Sequence, residues 1–124
     1  MAGQVQLDGT LTVGPAAASD SSFPGGVDVI PLDTTPSPKN YQRREHKETS
    51  ISAAVNLALD FTGIFARFVY LRSDAAITFR VNGLAADIPL HGVLLLEAPD
   101  ATPITGITVS GTATIEYYIT GNSS

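Results

Sequence analysis

Apolar and polar residues alternate with a period of two through most of the second half of the chain. From Ile77 to Asn82, Ile77, Phe79 and Val81 fall on one side, and Thr78, Arg80 and Asn82 on the other. That is the pattern of a strand with one buried face. Phe65–Arg72 reads as a strand of its own, so Ser73-Asp74-Ala75 predicts the turn of a hairpin. Asn82-Gly83 follows, a pair that tolerates the positive φ of a tight turn. Upstream, ISAAVNLALDF (51–61) sets Ile51, Ala53, Val55, Leu57 and Leu59 against Ser52, Ala54, Asn56, Ala58 and Asp60. Its alanines and leucines would also suit a helix, but five alternating apolar positions favour a strand. Downstream come a short segment at Ile88–Leu90 and a strand at Val93–Glu97. A last hairpin, ITGITVSG (104–111) and TATIEYYITG (112–121), turns at Ser110-Gly111. In its final strand Ala113, Ile115, Tyr117 and Ile119 share one face, opposite Thr114, Glu116 and Tyr118.

The first third is less regular. Residues 4–13 alternate Val5, Leu7, Leu11 and Val13 with polar neighbours, which predicts a strand with a bulge or bend at Asp8-Gly9. Residues 14–26 are small, polar and rich in turn formers, and read as a loop. VDVIPL (27–32) reads as a short strand that Pro31 confines to an edge or an end. DTTPSPKNY (33–41) is too rich in proline for a helix, and the basic run QRREHKE (42–48) fits either a helical turn or a charged edge strand. About eight strands at intervals of roughly 8–12 residues, with no long helix, predict an all-β protein. The expected form is an antiparallel, jelly-roll-like sandwich. One domain divides into an irregular N-terminal arm with peripheral strands (1–48) and a sandwich core (49–124).

Composition narrows the possibilities. At 124 residues, with 44% hydrophobic and 15% charged side chains, the chain can bury a core without cross-links. There is no Cys, so disulfides, thiol chemistry and Cys-based zinc sites are excluded. The N-terminus has neither the basic nor the apolar region of a secretory leader, and no apolar run has the roughly 18 residues of a membrane span. The expectation is a protein made in the cytoplasm and not inserted in a membrane. Net charge is −5. Yet four of the seven basic residues, Lys39, Arg43, Arg44 and Lys47, fall within nine positions, and only Arg67, Arg72 and Arg80 lie elsewhere. An acidic body repels nucleic acid, so none is expected as a partner. The basic run instead fits a docking segment for an acidic surface, on a neighbouring copy or on a larger partner.

Catalytic patterns are not evident. His46 and His91 are the only histidines, too few and too isolated for a metal site of three or four converging ligands. No G-x-S-x-G elbow occurs, and Gly25-Gly26 is no phosphate loop. Asp60, Asp74, Asp87 and Asp100 sit beside expected turns, where an Asp caps local N–H groups. Neither enzyme activity, metal nor cofactor is expected. Tyr117 and Tyr118 should point to opposite faces, and an outward Tyr118 beside Glu116 could serve a sugar-binding surface. Such surfaces usually present several aromatics in a row, and this chain has no Trp.

The run FARFVYLRSDAAITFRVNG, then IPLHGVLLLEA, then ITGITVSGTATIEYYITG, resembles small all-β structural proteins of tailed bacteriophages. The resemblance covers about residues 50–121 and lies in the succession of strands and turns. It implies a virion component, in the first place a capsid decoration (cement) protein on the outside of the phage head. The partners implied are the major capsid protein and further copies of the chain, as a homodimer or homotrimer. The lattice contacts would come from 1–13 and 39–47, through Val5, Leu7, Leu11, Lys39, Arg43, Arg44 and Lys47. A tail or baseplate adaptor, or a receptor-binding β-domain, is the alternative within the virion, and a carbohydrate-binding module the alternative outside it.

Overall fold

The computed structural model describes residues 3–13, 28–32 and 39–123. The loop expected at 14–26 and the Pro-rich residues 33–38 lie outside these. The described residues are all β, without a helix: β1 (Gly3–Val5), β2 (Thr10–Val13), β3 (Asp28–Pro31), β4 (Lys39–Tyr41), β5 (Arg43–Ala58), β6 (Ile64–Val81), β7 (Ile88–Glu97) and β8 (Ile107–Ser123). They belong to two compact units, Gln6–Lys39 and the remainder, Met1–Val5 with Asn40–Ser124.

In the larger unit β5, β8, β6 and β7 form, in that order, a four-stranded sheet that is antiparallel throughout. β1 pairs with β4 as a separate two-stranded ribbon, and the backbone of Gly3 lies so close to the Tyr41 ring that a Cβ would run into it. In the smaller unit β2 and β3 pair antiparallel, with Leu11 opposite Ile30. The chain does break between β1 and β2, and Gly9 there has φ of 148°.

The alternation read from the sequence governs the large sheet. In β8 Ile107, Val109, Ala113, Ile115, Tyr117 and Ile119 are buried, together with Val69, Leu71, Ile77 and Phe79 of β6. Leu59, Phe61, Ala98 and Ile104, from the connections, complete the same cluster. Burial of this many large apolar side chains is the main force holding the sheet, at about 1.5–3 kcal/mol for each large side chain.

Two expected hairpins are absent. Residues 64–81 form one strand, and Ser73-Asp74-Ala75 is not a turn but an irregularity inside it. Between Ser73↔Gly92 and Ile77↔Leu90, β6 advances four residues while β7 advances two. Likewise Ser110-Gly111 lies within the continuous β8, and Ile88–Leu90 joins Val93–Glu97 in a single β7 through Gly92, at φ of 108°. β5 is bulged twice, between Ile51 and Ala54 and between Ala54 and Leu57, with Ala53 and Asn56 both at φ of 49°. Each bulge inserts one extra residue and so resets which side chain faces the core. That is why Ile51 and Leu59 are buried while Val55, expected on the same face, is 81% exposed.

These irregularities line up across the four strands as a crease, and side-chain oxygens replace ladder bonds along it. Thr112 Oγ1 accepts from Ala53 N–H and Ser110 Oγ from Asn56 N–H, each at 2.9 Å. Asp74 Oδ1 accepts from Thr114 N–H at 2.9 Å, and the Ser73 hydroxyl donates to the Ala75 carbonyl at 2.7 Å. Turn-forming residues are thus used to bend strands rather than to end them.

Candidate functional site

The basic run resolves as an edge strand. Arg43–Glu48 are the first residues of β5 and pair with β8 from Arg43↔Gly121 to Glu48↔Glu116, so residue 48 lies inside a strand and not at the foot of an arm. Strand alternation divides its charges. Glu45 and Lys47 lie opposite Ile119 and Tyr117, on the side of the core. There Lys47 Nζ donates to Asp60 Oδ2 at 2.6 Å, and the Thr62 hydroxyl lies 2.7 Å from Asp60 Oδ1 and 3.2 Å from Glu45 Oε2. Asp60 N–H in turn donates to the Tyr117 hydroxyl at 3.2 Å. The hydrogen bond to Asp60 pushes the Lys47 amine up, and the bonds from Lys47 and Thr62 hold the Asp60 carboxyl below its ordinary value. These groups seal the rim of the core.

Arg44, His46 and Glu48 point to the opposite, outward face. Register places them at the ends of rows that cross the sheet: His46–Tyr118–Tyr70–Leu95, and Glu48–Glu116–Arg72–Val93. The His46 and Tyr118 rings stack with centroids 4.2 Å apart and planes 7° from parallel. His46 Nε2 meets Glu116 Oε2 at 3.1 Å, and the Arg72 guanidinium reaches the other oxygen of the same carboxylate at 3.7 Å. Beside this row a cleft of about 290 Å³ opens, lined by Glu48, Arg72, Asp74, Val93, Thr114 and Glu116 among others. With three carboxylates and one guanidinium it disfavours anions. Because His46 covers one face of Tyr118, less of that ring is free for a sugar to stack on.

The β2–β3 ribbon is the third feature. Leu11 and Ile30 are a directly opposed pair and both are about half exposed, at 48% and 49%, while Val29 is 60% exposed. Leu32 N–H donates to the Gly9 carbonyl at 2.8 Å and closes the end of the ribbon. A two-stranded ribbon is marginally stable alone, and cross-strand apolar pairs of this kind contribute most when something covers them.

The residues expected to make partner contacts are divided between the two units. Leu7, Leu11 and Lys39 belong to the smaller unit, and Val5, Arg43, Arg44 and Lys47 to the larger. Val5 ends β1 half-buried, Leu7 is half-buried just beyond it, and Lys39 opens β4. Arg43 and Arg44 are exposed on β5, whereas Lys47 is held by Asp60. Sequence reasoning missed Tyr70, His46, Ile30 and Val29, because the partners that give them meaning lie far along the chain: His46 and Glu116 are 70 residues apart. The signal for the ribbon was present in Val29-Ile30 but not its pairing with Leu11. Among the described residues no group of three or more His, Cys, Asp or Glu is placed to hold a metal ion, and no helix could cross a membrane. Of the aspartates expected to cap local N–H groups, Asp60 does so for Thr62, whereas Asp74 accepts from Thr114 across the sheet. Asp87 accepts from Arg80 Nε at 2.6 Å, and Asp100 forms an ion pair with Arg67 at 2.6 Å.

Compared with known proteins, the chain matches no family model, no curated protein and no solved structure.

Proposed function

We propose that this chain is a non-enzymatic structural protein of a tailed-phage particle, a decoration protein that docks on the outside of the head and clamps neighbouring major capsid subunits. The architecture that goes with this reading is a jelly-roll-like sandwich of about eight strands. The observation that carries it is the β2–β3 ribbon, a separate small unit that leaves Leu11, Val29 and Ile30 exposed. Apolar pairs on a marginal ribbon gain most when a partner surface covers them, and a lattice offers that surface at every copy. Each contact is modest. Repetition makes it effective, because shell expansion has to break many contacts together.

The test is to mix the purified protein with intact and emptied heads, then sediment and image them. Regular density over the shell at stoichiometric occupancy, lost in Leu11→Asp/Ile30→Asp, supports the reading. Binding only at a tail tip or vertex moves the protein to an adaptor role. No binding to any particle, with head stability unchanged when the protein is removed, overturns it.

A further inference from the structure

β5 is an outer strand of the four-stranded sheet, so one side of its backbone has no ladder partner among the described residues. Charged side chains on such an edge ordinarily keep other strands away. The charges here have a different order. Residues 43–48 read Arg-Arg-Glu-His-Lys-Glu, and this pattern reversed about His46 is its own electrostatic complement. We propose that β5 pairs antiparallel with β5 of a second copy about a two-fold axis at His46, which joins two four-stranded sheets into one of eight strands.

In that register Arg44 lies opposite Glu48 of the other copy, Glu45 opposite its Lys47, and His46 opposite itself, so four complementary pairs form about the axis. Neighbouring registers fail. An axis at Glu45 sets Arg43 against Lys47 and Arg44 against His46, and an axis at Lys47 sets that lysine against itself. One-residue offsets of the pairing, which would place opposite residues on different faces, are excluded by the alternation of the strand. The side chains of Arg44 and Glu48 form no hydrogen bond or ion pair among the described residues, so both are available on the outward face. On the other face Lys47 keeps Asp60 and gains Glu45 of the second copy as a neighbour. Arg43–Ile51 pair with β8 without a register shift, and this regular stretch, before the bulges at Ala53 and Asn56, is long enough to hold the contact. The pairing does not depend on which particle surface the chain docks to.

Charge exchange tests it on the full-length protein. In sedimentation velocity the wild-type chain is a dimer. Arg44→Glu and Glu48→Arg each place two like-charged pairs across the axis and weaken the dimer by roughly ten-fold or more, with far-UV circular dichroism unchanged. Mixing these two variants restores a dimer, because each supplies what the other lacks, and so does the double exchange within one chain. The chain has no Cys, so His46→Cys adds a second readout: under mild oxidation it forms a disulfide-linked dimer, and Ser52→Cys on the same strand does not. A wild-type monomer at high concentration, or a dimer indifferent to both exchanges, overturns the proposal. So does a pair of weakened variants that fail to recover on mixing.

Discussion

The four-stranded sheet contains two kinds of ladder, and they are stabilised differently. Along Arg43–Ile51, Ala113–Ile119 and Val69–Leu71 the strands pair in unbroken register, and every second side chain of β8 enters the core. At the crease, through Ala53, Asn56, Ser73–Ile77 and Gly111, register shifts and backbone donors turn to side-chain oxygens. The regular part relies on shape, because apolar side chains fill a shared interior. The crease relies on polar substitution, because each missing ladder bond needs an acceptor of the right length on the neighbouring strand. The two parts should therefore fail under different mutations.

The largest effect is expected outside the crease, at the irregularity between Ala66 and Phe68 of β6, where Gly121 of β8 has no room. A Cβ at Gly121 would run into the Phe65 carbonyl oxygen and lie 2.8 Å from the Ala66 Cα, both backbone atoms that cannot rotate away. Gly121→Ala should cost about 3 kcal/mol or more, read as a lower urea midpoint. If its stability matched that of wild type, the close approach of β6 and β8 at this point would be refuted. The crease should be less sensitive. Thr112→Val removes the acceptor for Ala53 N–H while keeping the side-chain shape, and because the site is exposed, water replaces part of the lost bond. The expected loss is about 1 kcal/mol.

This difference also explains what could be read from the sequence. Where alternation is intact, as from Ala113 to Ile119, the buried face follows from spacing alone. Ser73-Asp74 and Ser110-Gly111 look like hairpin turns because the same residue types serve both purposes. A side-chain oxygen that can close a turn can equally accept from the N–H of the next strand, as Asp74 does for Thr114 and Ser110 for Asn56. The distinction depends on what lies opposite, which spacing within one segment does not contain. The outward row through His46, Tyr118 and Tyr70 was hidden for the same reason, since three strands distant in sequence contribute one residue each. At the β5 edge the run 42–48 has no apolar alternation, because its core-side residues, Glu45 and Lys47, line a polar rim.

A smaller effect sharpens the comparison by changing sign. Ala53 adopts φ of 49°, the left-handed region that costs a residue with a Cβ about 1–2 kcal/mol. Ala53→Gly relieves that cost but gives the unfolded chain more freedom, and the balance should be a gain of about 0.5–1 kcal/mol. Ala54→Gly, one residue on, has no such strain to relieve and should destabilise by a similar amount. Thermal melts of the two variants should move in opposite directions. Parallel losses would mean that the bulge stores no backbone strain.

The smallest expected effect concerns the polar rim of the regular part, and its sign depends on pH. Lys47 and Thr62 hold the Asp60 carboxyl below its ordinary value, and Arg80 does the same for Asp87. A carboxyl whose folded pKa is lowered contributes stability that is fully present above its unfolded pKa, and that contribution is lost as pH falls through the folded value. The Lys47 amine is shifted the other way, so its contribution is present below its unfolded pKa and is lost as pH rises through the raised one. Both contributions are in force near neutrality. Acidification below about pH 4 begins to remove that of Asp60, and strong base removes that of Lys47. Asp60→Asn keeps an oxygen to accept from Thr62 N–H but cannot ionise. The variant should melt slightly below wild type at pH 7, and the gap should narrow between pH 7 and pH 3, as pH falls towards the lowered Asp60 value at which the wild-type carboxyl becomes neutral as well. Added salt should narrow the gap at pH 7, since both partners are half exposed to solvent. A gap that persists unchanged from pH 7 to pH 3 would show that Asp60 acts only by accepting local hydrogen bonds, and the charge of the rim would then play no part in closing the core.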